Sequence, residues 1–407
     1  MIFFFLLFLI PISWSQVTLE EAYKTAEKHL ESMQRADSQM NQAELRKKIA
    51  IGAMTPTVLG FGTYTEIDPI SGGSSNAFTR SNQYSAGLRL IQPLLRGGIV
   101  SAYNLRNEEV LLSLLNKETN QVAVYQLTIS AFYNLYLAKR DMVSLVELEE
   151  LSQKRVKELK SRAQLGRSRQ GDLVQAQAQL LNVEASIQGA QSSLEAAKLQ
   201  FEFITGMKDV ELVVETTLPP LGSVGVYLSK VQERPDVKAQ NQRIVVAEKQ
   251  VGVIKGGHNP NLDVTGNYYF TRTGVLEPSK WDVGLQLTVP ILQGNVVTNS
   301  VKDAVETKTQ AQLTGSELVR AAERDIQTLY QQYHQNLLQV QRLEEAVKKS
   351  KESYDLSLKD YKYGQLANLE VLLSLNVYID SRRAFDRAYA MAYASYKNLE
   401  ASSGVLP

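Results

Sequence analysis

The chain has 407 residues, with 44 basic and 43 acidic side chains for a net charge of +1, and no cysteine. A charge balance this even offers nothing for a nucleic acid or other polyanion to bind. The missing cysteine excludes disulfides, thiol catalysis, thiolate metal sites and an N-terminal lipid-modified Cys, and it fits an oxidising compartment.

Phe3 to Ile12 is an almost unbroken apolar run followed by Ser13-Trp14-Ser15-Gln16. It is too short to span a bilayer, and its small residues at 13 and 15 match a signal-peptidase site, although no Lys or Arg precedes it. A removed leader over residues 1–16 is therefore expected. No later stretch has the ~20 apolar residues of a membrane helix, so any membrane contact must come through strands. Thr18-Leu19-Glu20-Glu21 opens a helix with a capping box. The helix is expected to run to about Met54, where Thr55-Pro56 stops it. Strand-like runs near 57–66 and 81–93 flank the turn-rich loop Asp68–Asn76. A proline-free helical pattern then runs from Gly97-Gly98 to about Ala163. Gly166 to Gly171 breaks it, and Asp172 is expected to start the next helix as an ordinary N-cap, reaching Ile204.

Residues 207–232, with Pro219-Pro220, read as a linker. Arg234-Pro235 starts a helix with proline in its first turn, and Gly256-Gly257-His258-Asn259-Pro260 ends it. Strands near 261–272 and 279–290, a helix over 295–362, an interruption at Gly364 and a last helix over 369–402 complete the chain. The second half thus repeats the first. Gly87, Pro93 and Gly97 recur at one constant interval as Gly284, Pro290 and Gly294; Gly166 and Gly206 recur as Gly364 and Gly404. The expected organisation is a first repeat over 17–206 and a second over 233–407.

At about 1.5 Å per residue the two longest helices would each reach ~100 Å. Leu145, Leu148, Leu151, Val156 and Leu159 in one, and Leu337, Val340, Leu343 and Val347 in the other, lie near heptad spacing. They are assigned to coiled-coil packing. The strands alternate. Trp281, Val283, Leu285, Leu287 and Val289 oppose Asp282, Gly284, Gln286 and Thr288. Leu262, Val264, Tyr268 and Phe270 oppose Asp263, Thr265, Asn267 and Tyr269. Tyr84, Ala86, Leu88 and Leu90 oppose Ser85, Gly87 and Arg89. In the less regular 57–65 run, Leu59 and Phe61 are the clearest apolar pair. Such alternation over ~9–11 residues is the transmembrane-barrel pattern, although a half-buried soluble sheet alternates in the same way. Four strands cannot close a barrel and a bilayer tolerates no open edge, so several chains would have to share one barrel.

From residue 17 onward the chain resembles the TolC-like outer-membrane efflux proteins. The resemblance rests on Thr18-Leu19-Glu20-Glu21-Ala22, Arg234-Pro235-Asp236-Val237, Ala247 to Val253 and Pro260-Asn261-Leu262. It rests also on the paired strand–Pro–Gly segments and on Tyr361-Lys362-Tyr363-Gly364 followed by Leu369-Glu370-Val371-Leu372. It implies an α+β membrane protein made of tandem repeats of two strands plus long coiled-coil helices. It further implies a homotrimer with one twelve-stranded β-barrel and a periplasmic α-helical tunnel. Such a protein is an exit duct with no covalent chemistry and no cofactor, set in outer-membrane lipid and joined by a periplasmic adaptor to an inner-membrane pump of RND or ABC type. The resemblance puts a gate at Asp172, Tyr361 and Glu370, and adaptor docking at the tips bearing Gly166, Arg167, Gly364 and Gln365. Leu373 stands where a second acid is often found and Leu366 where a basic linking residue is, so the doubly acidic constriction is incomplete here.

Other candidates are weaker. His29, His258 and His334 share no metal-ligand spacing. Gly256-Gly257 lacks the helix and Lys of a phosphate loop and reads as a helix-to-strand transition. Arg89 and Asp263 would face a barrel interior. Tyr378, Tyr389, Tyr393 and Tyr396 are assigned to helix packing. A periplasmic coiled-coil scaffold without a pore is the rival reading, but it gives the amphipathic strands no purpose.

Overall fold

The computed structural model describes residues 16–66, 82–215, 217–273 and 277–407. The expected leader, up to Ser15, and the Asp68–Asn76 loop lie outside the described residues. Strand β1 (Gln16–Val17) is followed by helices α1 (Leu19–His29) and α2 (Glu31–Gly52), strands β2 (Thr57–Glu66) and β3 (Asn82–Leu95), and helices α3 (Ile99–Gln164) and α4 (Gln170–Thr205). After β4 (Glu211–Leu212) and the short α5 (Val224–Leu228), the pattern recurs as α6 (Pro235–Lys255), β5 (Asn261–Arg272), β6 (Trp281–Thr288), α7 (Val296–Lys362) and α8 (Asn368–Ser402). The chain divides into two compact units, one formed by residues 1–35, 118–234 and 319–407 and the other by 36–117 and 235–318.

The capping box of α1 is present: the Glu21 N–H donates to the Thr18 hydroxyl at 3.3 Å, and the Thr18 N–H donates to the Glu21 carboxylate at 3.0 Å. The single helix expected up to Met54 is instead two, broken at Leu30, whose backbone is extended. Neither glycine nor proline marks this break. Leu30 turns its side chain into the core of the first unit, and burial decides the bend. That core gathers Tyr23, Ile129, Phe132, Phe201 and Tyr393 from α1, α3, α4 and α8.

The linker is tied down. β1 pairs in parallel with β4, Val17 opposite Leu212. Val210 is buried, and Met207, Leu212 and Leu218 pack against the same core. Three tyrosine hydroxyls donate to linker carbonyls: Tyr389 to Glu215 at 2.8 Å, Tyr393 to Thr217 and Tyr333 to Pro219. The tyrosines of the last helix therefore do more than fill space between helices.

In the second unit four antiparallel strands pair in the order β2-β3-β5-β6. The register opposes Val58 to Leu90, Tyr64 to Tyr84, Leu88 to Tyr268 and Tyr268 to Trp281. This builds one apolar face, on which Trp281, Val283, Leu285 and Leu287 are 63–71% exposed. Leu59 and Phe61, expected as the apolar pair of β2, lie on the other face: Phe61 is opposite Gly87 and packs edge-on against Tyr269 at 5.7 Å. The apolar members of β2 are Val58 and Tyr64, whose alternation is masked by Gly60 and Gly62 between them. A β-bulge at Ala86/Gly87 brings the backbones close, and a Cβ on Gly87 would sit 2.1 Å from the Tyr268 carbonyl oxygen. Gly97 is required in the same way, because its Cβ would meet the Gly256 carbonyl oxygen at 1.9 Å. Its counterpart Gly294 has open space and a left-handed φ of 56° instead.

Burial pushes the hydroxyls of Tyr333, Tyr389 and Tyr393 above the ordinary tyrosine value of 10.0. The folded chain then holds these protons more tightly than the unfolded chain. Their contribution is full below that value and is lost as pH rises beyond it. Melting of the purified protein should accordingly shift down on the alkaline side of pH 10.0. Tyr393→Phe should cost about 1 kcal/mol at neutral pH and speed proteolytic cleavage within residues 207–232.

Candidate functional site at the helix tips

Both long hairpins turn by the same device. At the end of α3 the Arg167 N–H donates to the Arg162 carbonyl at 2.8 Å and the Gly166 N–H to Ala163 at 3.0 Å. At the end of α7 the Gln365 N–H donates to Asp360 at 2.9 Å and the Gly364 N–H to Tyr361 at 3.0 Å. These are paired Schellman motifs, with Gly166 at φ 71° and Gly364 at φ 75° in the left-handed region. Neither glycine has an atom within 4 Å of an added Cβ, so conformation alone requires glycine here.

Above the tips, Leu159, Leu173, Ala176, Tyr361, Val371 and Leu372 form a small apolar core with Leu366 packed on it. Arg155 of α3 is set into this core, only 5% exposed. Its Nε donates to Asn368 Oδ1 at 2.8 Å, and its Nη1 pairs with Glu158 at 3.0 Å. Asn368 is buried as well, and its amide reaches the Asp172 backbone carbonyl at 3.4 Å. The Tyr361 ring is held between two guanidinium groups, with the Arg155 carbon 3.7 Å and the Arg162 carbon 5.0 Å from its centroid. Glu158 binds both arginines, the second through Arg162 Nη2 at 2.9 Å. Just above, Tyr354 stacks on Tyr378; burial pushes the Tyr354 hydroxyl up while Arg155 opposes the shift. Charge-assisted bonds of this kind are the stronger class.

Tyr361 is thus buried at the joint that brings α3, α4, α7 and α8 together. Asp172 is not the N-cap expected of it. Arg169 holds that position with an extended backbone, and Asp172 lies in the first turn. Gly171 fits the helix, so the cap lies at Arg169 and α4 begins three residues before an Asp172 cap would start it. Asp172 meets Asn368 through its backbone carbonyl, and its carboxylate makes no hydrogen bond recorded among the described residues. Glu370 lies in the first turn of α8, exposed, and accepts the Ala367 N–H at 3.2 Å. Arg167 and Gln365 are exposed on the turns. Leu369 and Leu373, beside Glu370, are exposed too. Sequence reasoning missed Arg155, Glu158, Arg162 and Asn368. A signal was present: Leu145, Leu148, Ser152, Arg155 and Leu159 are all buried at heptad spacing, and a charged residue in such a seam requires a partner. Among the described residues no cluster of His, Asp or Glu could hold a metal. The site is a joint, with nothing arranged for bond-making chemistry.

Comparison with known proteins finds the same combination of long helical hairpins and strands in outer-membrane channels. Residues 227–405 match the family model described as "Outer membrane efflux protein". The outer membrane protein TolC of Escherichia coli is 22% identical over 347 residues, 80% of this chain and 70% of TolC. The proteases secretion protein PrtF of Dickeya chrysanthemi is 22% identical over 258 residues, 59% of this chain, and the match spans 55% of PrtF. The CmeC outer membrane channel of Campylobacter jejuni has the same fold, with a TM-score of 0.81 at 19% identity over 95% of this chain and 85% of that one. The second half of the chain thus matches the outer membrane efflux protein family model, and the chain as a whole is similar to TolC-like channels. Proteins of this family are transport ducts and not enzymes.

Arg155→Met should strip Asn368 of its donor and Glu158 of one of its two, at a cost of about 1–3 kcal/mol. Amide hydrogen exchange over 168–172 and 364–370 should speed up while exchange in the core around Phe132 is unchanged. Gly364→Ala should cost about 1 kcal/mol through its left-handed backbone, read as a lower melting temperature.

Proposed function

We propose that this chain is the outer-membrane exit duct of a tripartite efflux or type I secretion system. Three copies would join their four-stranded sheets into one twelve-stranded barrel, and the hairpins would form a periplasmic tunnel. One observation carries the reading: a four-stranded sheet whose apolar face is exposed and whose edge strands β2 and β6 have no further strand beside them among the described residues. In hydrocarbon each unpaired backbone group costs several kcal/mol, so the edges of neighbouring copies must meet. Likeness to TolC, named an outer membrane protein, and to PrtF, named for protease secretion, supports the same reading.

In this duct the tips are the periplasmic gate. Tyr361 and Asp172 hold neighbouring helices together in the closed state, and Arg155 takes the part of the basic link that Leu366 cannot play. Glu370 supplies one carboxylate per copy at the narrowest point, which favours cations in a narrow pore. The exposed turns carrying Gly166, Arg167, Gly364 and Gln365 receive the helical hairpins of a periplasmic adaptor. That adaptor links the duct to an inner-membrane pump of RND or ABC type. The two repeats, 17–206 and 233–407, then serve as the pseudo-equivalent staves of each subunit, with 207–232 at the waist.

Light scattering on the detergent-extracted protein should return three chains per particle; an easily extracted monomer would sink the duct. In planar bilayers Glu370→Ala should reduce cation preference and divalent-cation block, and unchanged selectivity would remove Glu370 from the gate. Tyr361→Ala should raise single-channel conductance, whereas unaltered conductance would mean that Tyr361 only fills the core.

A further inference from the structure

The polar face of the β2-β3-β5-β6 sheet carries an arrangement that the gate does not explain. Only five charged residues lie in the four strands: Glu66, Arg89, Asp263, Arg272 and Asp282. Glu66 ends β2 in step with Tyr64 and Val58 on the apolar side. On the polar face both acids are neutralised: Asp263 pairs with Arg96, just beyond β3, at 3.1 Å, and Asp282 with Arg272 at 3.6 Å. Arg89 has no acid. Its Nε donates to the neutral Asn267 side chain at 2.8 Å, and Asn267 passes its own amide hydrogen to Asp282 at 2.7 Å. The Asn267 oxygen is therefore fixed toward Arg89. The Arg89 guanidinium lies 4.9 Å from the Phe61 centroid, Phe61 meets Tyr269 edge-on, and Arg272 lies 4.3 Å from the Tyr269 centroid. Arg89 is exposed, while Phe61 and Tyr269 are partly covered. A flat cation is thus held in place, touching an acid only through Asn267 and with an exposed side chain.

Taken with the duct reading, on which it rests, this face lines the barrel, and each copy adds one net positive charge to the wall. We propose that Arg89 makes the barrel interior select for anions, and that the band of Phe61, Arg89, Tyr269 and Arg272 retains anions with a flat aromatic body. A guanidinium can pair with the acid group of such a solute while the neighbouring rings take its apolar body. An aliphatic anion of equal charge gains only the first of these. The selectivity is independent of the tips, and Glu370 acts on it only as a filter in series.

The test uses the full-length protein in planar bilayers at about 0.1 M salt, where charges within ~10 Å still act on a permeating ion. The chloride-to-potassium permeability ratio comes from reversal potentials. Block is measured with naphthalene disulfonate and with ethane disulfonate added on the barrel side. Glu370→Ala serves as the background, so that the barrel dominates. Arg89→Gln should move the permeability ratio toward potassium by about fivefold, the size expected for one water-screened charge contact. It should also abolish the preference for the aromatic blocker. Arg89→Lys should keep the ratio and lose most of that preference. Trimer mass and open-channel conductance of each variant, equal to those of the parent, certify that the barrel is intact. An unchanged permeability ratio and unchanged block in Arg89→Gln would overturn the proposal. If the parent protein carries no current at all, the duct reading falls and takes this inference with it.

Discussion

Hydrocarbon offers no partner to an N–H or C=O group, and a strand at the edge of a sheet presents a row of them. The β2-β3-β5-β6 sheet combines an exposed apolar face with two edges that have no further strand beside them among the described residues. Neither property is tolerable alone for long, since an isolated sheet of this kind would aggregate through both. The proposed sharing of edges between copies would satisfy the backbone and leave the apolar face for the membrane. Among the described residues no helix is long and apolar enough to cross a membrane.

The helices answer to a different constraint. A seam of leucine and alanine packs two helices well but allows them to slide, because apolar contacts are not directional. At the tips the seam accepts a buried arginine. Its bonds to Asn368 and Glu158 and its stacking on Tyr361 have fixed geometry. Burying a charge is costly unless every partner is present. Here Nε and Nη1 are bonded while Nη2 has no hydrogen-bond partner among the described residues, so the joint is directional but keeps a desolvation cost. The waist is held differently. Neutral tyrosine hydroxyls bind linker carbonyls there, and the residues are mostly apolar. The tips thus carry a polar joint and the linker an apolar anchor, two kinds of fixing on the same hairpins.

The repeat, the long helices, the proline and glycine punctuation and the apolar strands were legible because each is local. Periodicity and backbone preference act over a few residues, and the chain displays them directly. That is why Thr18–Glu21, Pro235, Gly166 and Gly364 fall where the residue types require. The start of α4 was misjudged at Asp172 because glycine in a first turn is permitted as well as disfavoured. The break at Leu30 was not legible, since only the core that receives Leu30 creates it.

The sequence by itself determined the duplicated plan, the lengths of the two longest helices, the alternation of most strands and the family resemblance. All of these follow from spacing along the chain. Tertiary structure decided which residues meet across it: Arg155 with Asn368, Tyr393 with Thr217, Arg89 with Asn267, Gly97 with Gly256. It also moved Phe61 from the expected apolar face to the polar one, where it packs against Tyr269. Strand register and helix rotation set these meetings. Both depend on the summed packing of residues far apart in sequence, and no short stretch of the chain carries that sum.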